Sequence, residues 1–286
     1  MPLDPSAILS RRFENLAFRY DDRELLLYNL SVGMGRDPYD ARERPYVFEQ
    51  PRLRAVPTAA TILGGGGTPL IAGAELDWSG LVHAGHRLTL HRPLPPEADI
   101  VGDAFVTDLV DKGSDKGALF TLRTEMRLAG GEPLFAMDNI MLARFDGGFG
   151  GGNPVTGGTP RALPTRAPDL VFASETRRDQ ALLYRIIADR NPLHADPAFA
   201  MAAGYREPIL HGLCTYGIAC RAVLAAVCDY DDTRIFSFEV RFSAPVYPGE
   251  RIDTDIWVEG GAVAFRSRAV ARDITILDKG WCLLRS

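Results

Sequence analysis

Residues 145–170, FDGGFGGGNPVTGGTPRALPTRAPDL, limit what this chain can fold into more than any other segment. They are crowded with glycine and proline and show no apolar period. Such a run suits neither a helix nor a strand interior, because glycine is too free and proline lacks the backbone donor. The chain is therefore expected to fold as two units, residues 1–152 and 169–286, joined by a linker over 153–168. A length of 286 residues accommodates two domains of ordinary size, and 46% hydrophobic residues supply each with a core. That apolar share excludes a disordered or fibrous chain.

The second half has the clearer periodicity. Leu182, Leu183, Ile186 and Ile187 recur at helical spacing within Asp179–Ala188. The helix must stop before Pro192, since a residue preceding proline is pushed out of helical geometry. A short helix is predicted over Ala198–Ala203, with Gly204 as its cap. Gly212–Val227 is apolar almost all round, as a fully buried helix is. Residues 235–242, 252–258 and 263–271 alternate with period two, and Cys282–Leu284 closes the set. The result is an α+β layout in which a helix packs on an antiparallel meander.

The first half has the same coarse order, without an evident residue-level repeat. Residues 24–32 fit either strand or helix. Leu88–Leu90, Ile100–Leu109, Ala118–Leu128 and Phe135–Phe145 read as strands, and residues 58–80 resist assignment.

The densest polar cluster in an apolar setting is Ala188-Asp189-Arg190-Asn191-Pro192-Leu193-His194. In a continuous helix, Asp189 and His194 would point roughly 140° apart. The proline break lets the chain fold back and bring the carboxylate and the imidazole together, where they could hold a water as an acid/base pair. About twenty residues on, Leu210-His211-Gly212-Leu213 opens the buried helix. The free N–H groups of that helix start can receive a developing oxyanion. Acid, base and oxyanion donor in one module suit chemistry beside a thioester carbonyl.

The run from Tyr184 to Gly217, YRIIADRNPLHADPAFAMAAGYREPILHGLCTYG, resembles the signature of the MaoC-like, or hydratase 2, family of (R)-specific enoyl-CoA hydratases. Tyr28-Asn29-Leu30-Ser31-Val32-Gly33-Met34-Gly35, Val56-Pro57-Thr58, Val110-Asp111-Lys112-Gly113-Ser114 and Gly147-Gly148-Phe149-Gly150-Gly151 are similar to the hydratase 2 domain of peroxisomal multifunctional enzymes. The resemblance implies a double hot-dog fold, two curved antiparallel sheets each wrapped around a central helix. It implies reversible addition of water to a trans-2-enoyl-CoA to give a (3R)-3-hydroxyacyl-CoA. Asp189 and His194 would activate the water, Asn191 would hold the loop, and the Gly212 amide would stabilise the enolate oxygen. His211, Tyr184 and Lys112 are expected to contact substrate. The first half, which lacks the motif, would make room for long or bulky acyl chains. No separate cofactor is implied, since CoA is part of the substrate, and the family points to a homodimer.

Other readings compete with less support. A hot-dog thioesterase would use the same fold, and a non-catalytic acyl-CoA-binding subunit would bind without turnover. His83, His86 and His91 invite a metal reading, but their spacing matches no standard site. Gly64–Gly67 lacks the Lys-Ser/Thr of a phosphate loop and reads as a flexible loop or a flap. Lys112, Lys116 and Arg123 could meet CoA phosphates, and Glu49 reads as structural. A formal net charge of −5 without basic clusters argues against nucleic acid. No run approaches the roughly 18 apolar residues of a membrane span. Four cysteines without CxxC pairing, no signal-like N-terminus and no SKL-type C-terminus lead to the expectation of a cytoplasmic, bacterial protein.

Overall fold

A computed structural model describes residues 3–64, 70–72, 74–152 and 161–285. Residues 153–160 of the expected linker and Gly65–Gly67 of the expected flap lie outside the described residues. The strands are β1 (Arg12–Tyr20), β2 (Leu81–Leu90), β3 (Ala98–Asp111), β4 (Ala118–Leu128), β5 (Pro133–Ala143), β6 (Leu170–Glu175), β7 (Ile235–Phe242), β8 (Arg251–Glu259), β9 (Ala262–Ala269) and β10 (Ile274–Leu284). The helices are α1 (Pro5–Leu9), α2 (Asp22–Ser31), α3 (Arg44–Val47), α4 (Ala60–Leu63), α5 (Gln180–Tyr184), α6 (Pro197–Ala202) and α7 (Gly212–Val227).

All ten strands form one sheet in the order β1-β3-β4-β5-β2-β7-β10-β9-β8-β6. Numbered within its own half, each set of five runs first-third-fourth-fifth-second. The halves therefore have identical topology and meet through their second strands. There, Gly85 to Thr89 pair antiparallel with Arg241 to Ser237. The two hot-dog sheets are thus hydrogen-bonded edge to edge. No helix among the described residues is long and apolar enough to cross a membrane.

Local sequence explains most of these elements. Residues 24–31 lie in α2, with Val32 as its C-cap, and Asp21 and Glu24 form a reciprocal capping box at its start. The Asp196 carboxylate accepts the Ala198 and Phe199 N–H groups to start α6, and Gly204 follows with a left-handed φ of +87°. β10 is much longer than the expected Cys282–Leu284. Bulges at Asp278/Trp281 and Leu277/Gly280 interrupt its alternation and mimic a turn in the sequence. β1 and β6 carry weak apolar signals because they are the two sheet edges, largely exposed along their length. The glycine run after β5 is tied down by one carboxylate. Asp111 accepts the N–H groups of Gly113, Gly148 and Gly150 at 2.8, 2.8 and 2.7 Å.

α7 runs through the main core, with Cys214, Tyr216, Cys220, Val223 and Leu224 fully buried against strands of its own half. The first half clamps it from the other side. Glu43 accepts the Arg221 guanidinium at 2.5 and 3.1 Å and the Gly35 N–H at 2.7 Å. Gln180 donates to the Ser31 carbonyl at 2.7 Å, and Tyr46 donates to the Tyr230 carbonyl at 2.8 Å. The carboxylate that ties the halves together is Glu43, whereas Glu49 stands exposed beside a surface cleft.

Arg221→Ala would leave the Glu43 carboxylate buried without its cation. The expected cost is about 3–5 kcal/mol in urea unfolding. The double variant Glu43→Gln/Arg221→Met should recover most of that loss. A single variant within about 0.5 kcal/mol of wild type would show that the pair does not hold the halves together.

Candidate active site

The site begins where α5 ends. The helix stops at Tyr184 and not near residue 188, and the chain continues through tighter turns in which Ile186 and Ile187 donate to the Leu183 and Tyr184 carbonyls. Two side chains then shape the reversal. Asp189 Oδ1 accepts the Asn191 N–H at 2.9 Å, and Asn191 Oδ1 accepts the Leu193 N–H at 3.0 Å. These Asx bonds and Pro192 set up a 3-10 turn over Pro192–His194 that carries His194 into the protein.

His194 is buried, and its Nδ1–H donates to the Ile209 carbonyl at 2.8 Å. That bond fixes the tautomer and leaves Nε2 with a free lone pair. The His194 ring stacks on His211, with centroids 3.5 Å apart and planes inclined by 22°. His211 Nε2–H donates to the Asp189 backbone carbonyl at 2.8 Å, so one imidazole braces both ends of the reversal. Its other face meets the Tyr184 ring at 4.9 Å.

His211 is also the residue before α7, and among the described residues no side chain caps that helix. The first-turn N–H groups, starting with Gly212, are therefore free to bind an anion. A Cβ at Gly212 would lie 3.2 Å from the Phe242 ring, which would have to shift by a few tenths of an ångström to admit it. Burial lowers the His194 pKa, opposed by its bond to Ile209 and by the nearby Asp189 charge. Burial, then the adjacent His194, pushes His211 down to about 3. Both rings are neutral near pH 7, as two cations in a 3.5 Å stack would repel.

Asp189, Asn191, His194, His211 and Gly212 therefore converge. Asp189, Asn191 and Gly212 reach the surface while both imidazoles lie behind them. Tyr184 sits deeper, with its hydroxyl buried and unpartnered among the described residues, so it backs His211 and does not face outward. Lys112 is exposed on the β3–β4 hairpin of the first half, outside this group. Arg123 is engaged with Glu125 and Asp138 within β4 and β5. His83 and His86 stand on β2, while His91 is exposed beyond its end, so the three imidazoles do not converge. Sequence reasoning did not find the Ile209 carbonyl or Phe242, since neither residue type signals chemistry and both arrive from distant segments.

Two family models match the chain. The MaoC-like domain covers residues 160–279, and the N-terminal domain of multifunctional-enzyme-type-2 hydratase 2 covers residues 18–144. The enoyl-CoA hydratase ChsH3 of Mycobacterium tuberculosis is 36% identical over 98% of this chain and 98% of its own length. The chain belongs to the MaoC-like, hydratase 2 family. The peroxisomal enoyl-CoA hydratase 2 of Arabidopsis thaliana is 33% identical, covering 94% of this chain and 92% of its own. The MaoC-like dehydratase of Phytophthora capsici superposes with a TM-score of 0.88 at 28% identity, covering 99% of both chains. A Mycobacterium tuberculosis protein with a double hot-dog fold aligns over 96% of each chain at a TM-score of 0.59 and 16% identity, a likeness of fold alone.

The stacked imidazoles make stability depend on pH. His211 has a folded pKa of about 3 against about 6.5 unfolded, so between those values the unfolded chain binds more protons. Stability is therefore lost as pH falls below about 6.5, by about 1.4 kcal/mol per pH unit from this group. Urea unfolding at pH 6.5 and pH 5 should show His211→Gln with the shallower dependence. Equal slopes in variant and wild type would contradict the buried neutral stack.

Proposed function

We propose that this chain is an (R)-specific enoyl-CoA hydratase, adding water across trans-2-enoyl-CoA to give (3R)-3-hydroxyacyl-CoA. The observation that carries this reading is the cluster in which His194 stacks on His211, while His211 binds the Asp189 backbone carbonyl and directly precedes Gly212 at the start of α7. The names borne by its close relatives add independent support.

In this reading, a water sits between Asp189 and His194 Nε2. The thioester oxygen of the substrate lies against the Gly212 N–H, which withdraws charge from the conjugated double bond and makes Cβ electrophilic. The water oxygen bonds to Cβ as its proton passes to the Asp189/His194 pair. Negative charge gathers on the thioester oxygen, where the amide and the helix dipole stabilise it. The pair returns a proton to Cα as the enolate collapses, and one water has been added overall. Asn191 keeps the loop closed through Leu193 and Asp189. His211 keeps His194 neutral and oriented, so that its lone pair faces the water.

Burial of all four cysteines as free thiols fits a reducing compartment and supports a cytoplasmic setting.

Loss of the enoyl-thioester absorbance of crotonyl-CoA and decenoyl-CoA, with chiral analysis of the product, tests the reaction directly. Asp189→Ala and His194→Ala should each lower kcat by about a thousandfold or more while thermal unfolding stays cooperative. A folded Asp189→Ala variant with near-normal turnover would overturn the assignment. Release of free CoA without hydration would identify a thioesterase.

A further inference from the structure

The inner face of the first-half sheet carries polar groups that the reaction above does not use. Register sets His86 of β2 beside Asn139 of β5, which in turn pairs with Leu122 of β4. Thr124 lies in the next row, between Met137 and Ala104. His83 follows His86 along β2 after the bulge at Gly85, opposite Met141. The face is the inner one, because the His86 ring meets Tyr216 of α7 at 5.0 Å. These polar side chains run between two separate apolar clusters. One contains Leu88, Phe135 and Met137, and the other Ala104, Phe120 and Leu122.

Three atoms on this line lack what burial demands. His83 Nε2, His86 Nε2 and Thr124 Oγ1 are inaccessible and have no hydrogen-bond partner among the described residues. Each such atom costs about 1–3 kcal/mol unless something fills it. The state of His86 is set by its neighbour. Nδ1 lies 3.1 Å from Asn139 Oδ1, so the proton is on Nδ1 and Nε2 offers a lone pair. The two rings are 5.6 Å apart. His83 and Met141 are both partly exposed although they face inward.

The line lies close to the reaction site. The Phe242 ring lies 4.8 Å from His83, and the same ring is what a Cβ on Gly212 would strike. The polar line thus begins one aromatic ring beyond the uncapped start of α7. Neutral imidazoles that present lone pairs do not suit the phosphates of CoA, which need cations or N–H donors. They suit an O–H donor within an otherwise apolar ligand.

We propose that His83 and His86 form a second binding subsite that takes a hydroxyl group carried on the distal part of the acyl chain. The hydroxyl would donate to His86 Nε2, so an acyl group bearing it would be bound in preference to its plain alkyl counterpart. This rests on the reading of the chain as an acyl-thioester enzyme.

The test is calorimetric binding of decanoyl-CoA and of its analogues hydroxylated singly at carbons 6 to 10, with trans-2-decenoyl-CoA turnover measured on the same wild-type preparation. One hydroxyl position should bind about tenfold tighter than decanoyl-CoA. In His86→Leu the ratio of the two affinities should fall to near one. His83→Leu, probing the other ring, serves the same purpose where His86→Leu fails to fold. No preference at any position would leave the two nitrogens as a buried-water site and overturn the subsite, as would a preference that survives both substitutions. Hydration of decenoyl-CoA without a hydroxyl preference overturns the subsite alone. Absence of both hydration and acyl-CoA binding overturns the underlying reading.

Discussion

The antiparallel ladder between Gly85–Thr89 and Ser237–Arg241 is the contact on which the rest of the arrangement depends. It joins the second strand of one half to the second strand of the other, and so sets the helices of both halves against one continuous inner face. Antiparallel pairing of equivalent strands generates an approximate two-fold relation. Segments at equal positions in the two halves then meet near the junction. Tyr28 and Tyr184 illustrate this. Each follows a Leu-Leu pair on the helix after the first strand of its half, each is fully buried, and their ring centroids are 6.0 Å apart.

Counting on from those tyrosines shows how two similar units have diverged. Five residues after Tyr184 comes Asp189, and five after Tyr28 comes Gly33, which has a left-handed φ of +99°. Seven residues on, Asn191 corresponds to Gly35, whose N–H is bound by Glu43. The first-half segment has exchanged side-chain chemistry for backbone bonds. Glu43, held there by Gly35, reaches Arg221 and fixes the helix that starts at Gly212. On the proposed function, one half contributes the chemistry and the other the brace that keeps it in register.

Much of this was legible in the residues. The Pro192 break, the apolar run from Gly212 to Val227 and the alternation of Ile235–Phe242 each have a local cause, and each occurs in the structure where local physics put it. The Asp189–His194 reversal was legible for the same reason, because Asx bonds and proline act within a few residues. What could not be read depends on distant partners. β1 and β6 are edge strands whose pattern is diluted by solvent on most of their length. β10 was foreshortened because bulges break its period. The stack of His194 on His211, the Ile209 carbonyl that fixes a tautomer and the Phe242 ring against Gly212 join segments whose sequence separation conceals them. Tyr184 was selected for its place in the motif, yet its position behind His211 is set by burial.

The unequal central helices explain why the halves must differ in function and not only in sequence. In the second half, the sixteen residues of α7 cover the inner face of the sheet, and their side chains complete the core there. In the first half, α4 has four residues and ends at Gly64, where a Cβ would lie 2.8 Å from the Met137 side chain. A helix that short cannot cover the same breadth of sheet, since each residue advances the axis by only about 1.5 Å. The rest of that face packs partly on Leu70, Ile71 and Leu76, and it holds partly exposed His83 and Met141 and two imidazole nitrogens without partners among the described residues. Buried polar atoms of this kind are costly unless a ligand or water pairs with them. These nitrogens lie one aromatic ring beyond the start of α7. On the proposed function, the same helix start would stabilise charge at the thioester while the first half receives the acyl chain.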